Sequence, residues 1–360
     1  MNIMSVIMLG FSILGGLDRI LGNRFGLGKE FEKGFMLLGN MALSMIGMII
    51  LAPFLAELLA PCFDWVRIVL HLDPSIIPAS LFANDMGGAP LAKEIASDHK
   101  VGMFNALVVS SMMGCTVSFS IPYALGVVKK ENCKDMFFGM LCGIVTIPVG
   151  CFVAGLFCGI PVIALLWNLL PLIILAAIIA CCLIFLPSIA VKMFSILGIL
   201  MKAMITIGLL LGIFTALTGV AFVNGLADIW EGTKICMNAA VVLSGAFPMM
   251  YLVRKLLNKP LKKTAKKLSV SQESVMGFVS TLVTNATTFE MLNHMDRKGI
   301  IMNSAFLVSA AFVFGGHLAF TMAFDSSYIV PVMIGKLVAG ASAVALSAML
   351  CKNIIKEKIL

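Results

Sequence analysis

Charged residues are scarce in this 360-residue chain: Asp, Glu, Lys and Arg make up only 12% of it, against about 25% in a soluble domain. Hydrophobic residues make up 60% and the mean hydropathy is +1.05, so the chain lacks the polar surface that a water-soluble globule needs. Because one crossing takes roughly 20 apolar residues, the length accommodates about nine or ten spans. The composition therefore predicts an all-α polytopic membrane protein embedded in a lipid bilayer.

The motifs that would indicate an enzyme or a pump are also missing. The sequence contains no HExxH, no GxSxG and no GxxxxGK[ST] phosphate loop, which are patterns of metalloproteases, serine hydrolases and ATP-driven proteins. Its four histidines are well separated and its ten cysteines form no CxxC pair, so neither a zinc site nor a disulfide framework is supported. We expect no enzymatic activity, no cofactor and no metal site. A scaffolding subunit remains an alternative class.

Nine apolar runs bounded by charged residues predict transmembrane helices. Their approximate limits in the sequence are 2–18, 34–61, 101–127, 135–157, 162–187, 193–219, 234–253, 299–323 and 329–351.

Two further stretches, 74–92 and 272–293, are too polar and interrupted for simple spans. Each has an apolar arm, a polar kink and a second short arm; the kinks lie around Asn84 and Asn285. Irregular backbone at membrane depth is tolerated only where it is buried in protein or lines a wet cavity. We therefore predict two re-entrant hairpins.

The distribution of positive charge favours the hairpins and sets an orientation. If each hairpin leaves the membrane on the side it entered, twenty of the twenty-six Lys and Arg residues fall on one side. Cytoplasmic loops carry an excess of Lys and Arg, so the N-terminus is expected outside and the C-terminus in the cytoplasm. Since the basic residues lie in short loops, the net charge of +8 does not indicate a nucleic-acid partner.

The two halves of the chain resemble each other at an offset of 198 residues. Gly47 matches Gly245, and Asp98 matches Asp296, whereas the hairpin asparagines match only with a slip of three residues. We predict a first repeat over 1–160, a linking helix over 161–190 and a second, inverted repeat over 191–360. Inverted repeats with broken segments in corresponding positions are typical of secondary transporters, which bind substrate between those segments.

The kinks supply the candidate substrate ligands. A carboxylate at the tip of the first hairpin, Asp85, suits an ammonium group through a charge-assisted hydrogen bond, and amide side chains suit both hydroxyls and amines. The predicted substrate-binding residues are Asn84, Asp85, Gly87, Gly88, Ser111, Thr284, Asn285, Thr287, Thr288, Glu290 and His317.

Structural roles compete with each of these assignments. The alternative role of Asp85 and of the two hairpin asparagines is to cap the short helices of the hairpins without binding substrate. The Thr hydroxyls could bond to their own helix backbone. Glu290 could form an ion pair with Arg297 or Lys298 instead of coupling to protons. His317 could be a neutral histidine bonded to a neighbouring helix, and Ser111 could bond between helices.

Several stretches together resemble one known family, the EutH ethanolamine-utilisation transporters. The resemblance covers essentially the whole chain, although members of that family often carry Asp where this chain has Gly316. It implies a bacterial inner-membrane permease that moves ethanolamine inward for catabolism. The stretches that carry it are 21–28, 30–36, Ala83-Asn84-Asp85-Met86-Gly87-Gly88-Ala89-Pro90-Leu91-Ala92, Ser110-Ser111-Met112-Met113-Gly114 and Ala310-Ala311-Phe312-Val313-Phe314-Gly315-Gly316-His317-Leu318.

Ethanolamine is a small amino alcohol, mostly cationic near neutral pH, and needs one anionic site and one hydroxyl partner. Architecture alone does not identify cargo, so another small polar solute remains the alternative substrate: a nucleoside or a carboxylate, coupled to Na⁺ or H⁺. We further expect a homo-oligomer, either a dimer or a trimer.

Overall fold

The computed structural model describes residues 3–268 and 270–356, and this part of the chain is built from helices joined by short loops. Residues 1 and 2 of the first predicted repeat (residue 2 also begins the first predicted span) and residues 269 and 357–360 of the second repeat lie outside the described residues. The helices are α1 (Ile3–Ile20), α2 (Leu27–Met36), α3 (Leu38–Leu58), α4 (Ala60–Leu70), α5 (Ile76–Leu81), α6 (Gly88–Ile95), α7 (His99–Phe104), α8 (Ile121–Val127), α9 (Lys130–Phe157), α10 (Val162–Phe185), α11 (Pro187–Thr218), α12 (Ile229–Leu268), α13 (Gln272–Thr281), α14 (Asn285–Leu292), α15 (Arg297–Ala310), α16 (Gly316–Phe324) and α17 (Ile329–Lys356).

Eight helical segments of the described chain are long and apolar enough to cross a membrane. They agree with eight of the nine predicted spans to within a few residues at most ends, which confirms the all-α polytopic membrane fold. These segments are Ile3–Ile20, Leu27–Leu58, His99–Val127, Lys130–Phe157, Val162–Phe185, Ser188–Thr218, Ile229–Leu257 and Ser326–Cys351.

The ninth predicted span, 299–323, is instead two helices, α15 and α16, separated by a non-helical segment. Phe312 has a left-handed backbone with φ of 63°. The N–H groups of Phe312 and Phe314 donate to the carbonyls of Thr281 and Leu282 at 3.1 and 2.8 Å. The broken helix thus satisfies its backbone against the second hairpin, which is the condition for irregular backbone inside a membrane.

The segment between α7 and α8 is the most deeply buried span of the described chain. It is wound as a π-helix over Asn105–Gly114 and Thr116–Ser120. Hydroxyl groups bond back to its main chain, as Thr116 does to the Met112 carbonyl at 2.7 Å, and such bonds loosen regular helical pairing. We call residues 105–120 the central helix; π-turns are frequent at functional sites.

In both hairpins, the residues just before the first arm are hydrogen-bonded to the residues just after the second arm. The Asp73 carboxylate, before α5, accepts hydrogen bonds from the N–H groups of Ser97 and Asp98, after α6, at 3.1 and 2.9 Å. In the second hairpin Asp296 accepts from the Ser271 N–H at 2.7 Å. The arms α5 and α6 have six and eight residues, about 9 and 12 Å of helix, and are too short to cross roughly 30 Å of hydrocarbon.

Two close helix crossings connect the halves of the chain. On α3, a side chain at Gly47 would overlap the carbonyl oxygen of Ile205 on α11. On α12, a side chain at Gly245 would overlap the carbonyl oxygen of Met8 on α1. Small residues permit this backbone contact between membrane helices. The two glycines are also a matched pair of the predicted repeat, so the crossings lie at corresponding positions in the sequence.

Candidate functional site

A cavity of about 350 Å³ lies where the first hairpin, α3, the central helix and the break between α15 and α16 meet. Its volume far exceeds the roughly 15 Å³ that one water molecule needs. Most of the wall is apolar, and a few polar groups interrupt it, as in typical small-molecule sites. The cavity is lined by Leu37, Asn40, Met41, Ser44, Ala83, Asp85, Met86, Cys115, Phe119, Phe312 and His317.

Asp85 enters the cavity from the kink of the first hairpin. The backbone is extended at Phe82 and Ala83, forms one 3₁₀ turn over Asn84–Met86 and then reverses at Gly87, whose φ is +103°. A glycine is required there because this φ strains other residues and because a Cβ would lie 2.6 Å from Met48 Cε. The half-buried Asp85 faces the broken helix: its Oδ2 lies 3.9 Å from the position that a Cβ on Gly316 would occupy.

Lys336 on α17 is the ionisable group that sequence reasoning passed over. Its side chain is fully buried, and Nζ donates to the carbonyl oxygen of Ser111 at 2.6 Å and lies 3.2 Å from His317 Nδ1. The sequence does contain a sign of it, because Lys336 lies within the predicted span 329–351. A lysine inside a membrane span is energetically costly and therefore suggests a functional role. The structure therefore places a cation directly behind the cavity wall.

The charges around the cavity are arranged as a separated pair. Asp85 and Lys336 interact electrostatically, yet they form no direct ion pair in the part of the chain that the structure describes. His317, which lines the cavity, contacts Lys336 on one side and packs against the Phe312 ring, with the ring centroids 4.7 Å apart and the ring planes tilted by 39°. A polar molecule in the cavity thus meets a carboxylate and an imidazole, with an ammonium behind them.

Two more of the predicted residues are held close to this site. The Ser111 hydroxyl bonds to the Val108 carbonyl at 2.9 Å, so Ser111 contributes its backbone carbonyl and not its hydroxyl. Gly88 starts α6 beneath the kink, where any Cβ would overlap the Phe82 carbonyl oxygen.

The hairpin asparagines are buried and incompletely paired. Asn84 is fully buried and neither its amide nitrogen nor its amide oxygen has a hydrogen-bond partner. Asn285 donates to the Ser120 hydroxyl of the central helix at 2.8 Å, and its oxygen remains unpaired. Because buried polar atoms are normally paired, these orphan atoms are candidates for hydrogen bonds to water or to a polar solute.

The remaining predicted residues of the second hairpin lie outside the walls of this cavity. Thr284 is the N-cap of α14, Thr288 shares a hydrogen bond of 2.9 Å with Thr281, and Thr287 is half-buried. Glu290 is exposed and accepts a hydrogen bond from the Tyr123 hydroxyl at 3.3 Å. The structure therefore brings Asp85, Ser111 and His317 together and leaves the threonines and Glu290 apart from them.

Comparison with known proteins agrees with the resemblance read from the motifs. Residues 1–350 match the family described as Ethanolamine utilisation protein, EutH. The chain belongs to the EutH family. A member from Listeria monocytogenes, named Probable ethanolamine permease EutH, is 43% identical over 356 residues, covering 99% of this chain and 95% of the relative.

Two other relatives match over similar lengths. The Salmonella typhimurium protein of the same name is 36% identical over 387 residues, covering 97% of this chain and 95% of the relative. The protein YxeR of Bacillus subtilis, described as uncharacterized, is 35% identical and covers 95% of this chain and 92% of its own length. No solved structure matches the chain.

Proposed function

We propose that this protein is a permease that moves ethanolamine across the bacterial inner membrane, and that it is a transporter and not an enzyme. The observation that carries the proposal is the Asp85 carboxylate, held at a helix break inside a cavity with largely apolar walls. An ammonium group can replace its lost hydration there by a charge-assisted hydrogen bond. The names of the EutH relatives support ethanolamine as the cargo.

The proposed binding mode uses the two ends of the substrate separately. The ammonium binds Asp85, and the hydroxyl bonds to His317 or to the polar side chains on α3, Asn40 and Ser44, which line the same cavity. Gly87 and Gly88 shape the kink that presents the carboxylate.

The second hairpin completes the proposed route. Asn84 and Asn285 offer unpaired amide atoms to water or substrate when the cavity rearranges. Of the other residues predicted there, Thr284 caps α14 and Thr288 bonds to Thr281 within the hairpin, so both stabilise its shape. Thr287 and Glu290 lie outside the cavity wall.

The proposal extends to membrane placement. The hairpins re-enter from opposite sides, the two halves are inverted repeats, the N-terminus is outside and the C-terminus is cytoplasmic. The closed hairpin bases at Asp73 and Asp296 and the paired crossings at Gly47 and Gly245 support this arrangement. We also propose a homo-oligomer, a dimer or trimer, which cross-linking in native membranes tests.

Uptake of radiolabelled ethanolamine into proteoliposomes tests the cargo. The measurement is the initial rate at acid pH, where the unprotonated amine that crosses bilayers unaided is rare, with protein-free vesicles as the control. We expect saturable uptake that competes with unlabelled ethanolamine and weakly with propylamine, which lacks the hydroxyl. Rates equal to those of empty vesicles would reject ethanolamine as the substrate.

A further inference from the structure

The position of Lys336 poses a charge problem for any cationic substrate. Its ammonium is completely buried, and the site in front of it carries one carboxylate, Asp85. With both groups ionised, the empty site is neutral. A bound ethanolammonium then adds a second cation, and the described residues that line the cavity include no second carboxylate to balance it. An uncompensated charge in a membrane interior costs several kcal/mol.

The other titratable groups that face Lys336 do not balance this charge. They are His317 from α16, Cys115 from the central helix and Cys151 from α9. A buried thiol is a neutral, weakly polar group. The imidazole is either neutral or positively charged, so it supplies no negative charge to balance the ammonium. Among the described residues that face Lys336, Asp85 is therefore the single anion for two cations, the substrate and Lys336.

The hydrogen bonds of Lys336 fit both of its protonation states. An ammonium has only donors, so in that state Nζ donates to the Ser111 carbonyl and to His317 Nδ1, and the ring proton lies on Nε2. A neutral amine still donates to Ser111, and its lone pair accepts from Nδ1–H after the ring changes tautomer. The Ser111 carbonyl and His317 Nδ1 stay paired with Nζ in either state, so Lys336 can exchange a proton without breaking these two contacts.

We propose that Lys336 releases its proton from Nζ when ethanolammonium binds at Asp85, and takes a proton up again when the substrate leaves. The proton leaves through water in the cavity that His317 lines. This inference rests on the proposed function. The loaded and empty forms then have the same net charge, and one ethanolammonium moves inward for each proton that moves outward.

Such an exchange has a definite thermodynamic consequence. Because no net charge crosses, the membrane potential does not drive uptake, whereas the pH gradient does. At equilibrium the ratio of ethanolammonium inside to outside equals the ratio of protons inside to outside. Diffusion of the neutral amine alone would lead to the same ratio of concentrations. The protein therefore speeds the approach to this equilibrium and does not accumulate ethanolammonium beyond it.

Proteoliposomes loaded with a pH-sensitive dye test the exchange directly. Initial uptake is measured above that of protein-free vesicles while valinomycin and potassium set a potential of about 100 mV, inside negative. We expect the potential to change the wild-type rate less than twofold, and the lumen to become more alkaline by one proton for each ethanolamine taken up. An electrogenic carrier would instead accumulate substrate about 50-fold under this potential.

Lys336→Arg is the decisive variant, because a guanidinium fills a similar volume and donates hydrogen bonds but does not release its proton. We expect proton exchange to be lost and uptake to fall 30-fold or more. Lys202→Arg makes the same chemical change at an exposed position of α11 and should behave as wild type. Size-exclusion profiles report folding; if Lys336→Arg does not fold, Lys336→Met, which carries no charge in either state, is the second variant. Its uptake should follow the potential without a dye signal, and uptake that stays independent of the potential would overturn the role of Lys336.

The outcomes separate this inference from the proposed function. Wild-type uptake that the potential accelerates tenfold or more without a dye signal, or unchanged exchange in Lys336→Arg, would overturn the role of Lys336 and leave the ethanolamine permease standing. If the wild-type protein shows no saturable ethanolamine uptake, both the proposed transport function and the proton exchange at Lys336 are rejected.

Discussion

Asp296 joins the two ends of the second hairpin through Ser271: its Oδ1 accepts the Ser271 backbone N–H at 2.7 Å. The same carboxylate caps α15 by accepting the Gly299 N–H at 3.1 Å, and it bonds to the Ser274 hydroxyl at 2.7 Å. One side chain therefore fixes where α13 begins and where α15 begins. Its partners are donors that would otherwise be unpaired at helix ends.

Replacement of this group should loosen the second hairpin. Asp296→Ala removes an N-cap, which costs about 0.5–2 kcal/mol, and leaves the Ser271 and Gly299 donors unpaired. We expect a lower melting temperature of the purified protein in detergent. Glu273→Ala, which removes an exposed carboxylate of the same hairpin, is the control. Equal melting temperatures for the two variants would contradict the role of Asp296.

The stabilisation by Asp296 should also depend on pH. Burial alone raises the pKa of Asp296, but the hydrogen bonds from Ser271, Ser274 and Gly299 lower it by more, so the net pKa lies below the ordinary 3.8. A depressed folded-state pKa gives stability that is present above the unfolded pKa and is lost as the pH falls through the folded one. The difference in melting temperature between wild type and Asp296→Asn should be constant from pH 5 to 8 and shrink below about pH 4.

Removal of the Asp85 charge tests its role as the ammonium ligand. Asp85→Asn keeps the size of the side chain, and Asn caps a turn as well as Asp does, so folding should be preserved. Loss of one partner of a buried charged pair costs on the order of 2–5 kcal/mol, so the half-saturation concentration should rise roughly 30-fold or more.

Glu290→Gln is the matched control for Asp85→Asn. It removes a carboxylate that is exposed and outside the cavity wall, so its uptake should stay close to wild type. Asn285→Ala serves as a comparison within the second hairpin. An unchanged half-saturation concentration in Asp85→Asn at matched expression would leave Asp85 only a structural role.

The kink of the first hairpin should not tolerate added bulk on the central helix. At Gly114 a Cβ would overlap the Phe82 carbonyl oxygen, which belongs to backbone that cannot rotate away. We expect Gly114→Ala to cost about 1–3 kcal/mol and to lower the yield of monodisperse protein. Gly126→Ala, with nothing within 4 Å of its added methyl group, should be neutral. The size-exclusion profiles of both variants check this.

Labelling of single cysteines tests the proposed orientation. In a background without the ten native cysteines, Ser97→Cys should react with a membrane-impermeant maleimide only from outside. Lys130→Cys should react only in inverted vesicles, because its loop carries the cytoplasmic excess of positive charge. His71→Cys, at an exposed position before the first hairpin, should react from the same side as Ser97→Cys, which follows the hairpin. If these two positions react from opposite sides, the first hairpin crosses the membrane instead of re-entering it.

Hydropathy and charge predicted the spans well because both follow from the solvent that each segment contacts. The exception is 299–323, where the helix is interrupted between Ala310 and Gly316 within an uninterrupted apolar run. Hydropathy does not detect this break, since its cause is a pair of backbone hydrogen bonds to residues some thirty positions earlier. The Gly315-Gly316 pair was the available local sign.

The candidate site was predictable only in part, and for a related reason. Asp85 and His317 stand out as polar residues in apolar surroundings, so composition along the chain was enough to select them. That Lys336 reaches both His317 and the Ser111 carbonyl depends on how α17 packs against the central helix, and no local pattern encodes that packing. Thr288 and Glu290 have suitable chemistry, but packing directs them elsewhere.

The hydrogen bonds across the helix breaks restrict how this protein can move. The Ala83 N–H donates to the Ser118 hydroxyl at 3.0 Å, Asn285 reaches Ser120, and the backbone of the broken helix pairs with the second hairpin. These bonds lie where water cannot replace them cheaply, so both hairpins, the central helix and the broken helix are expected to travel as one rigid body. Alternation of access is then expected to come from the sliding of this body along its flanking helices, so that Asp85 and His317 move together while Asn40 and Ser44 stay on α3.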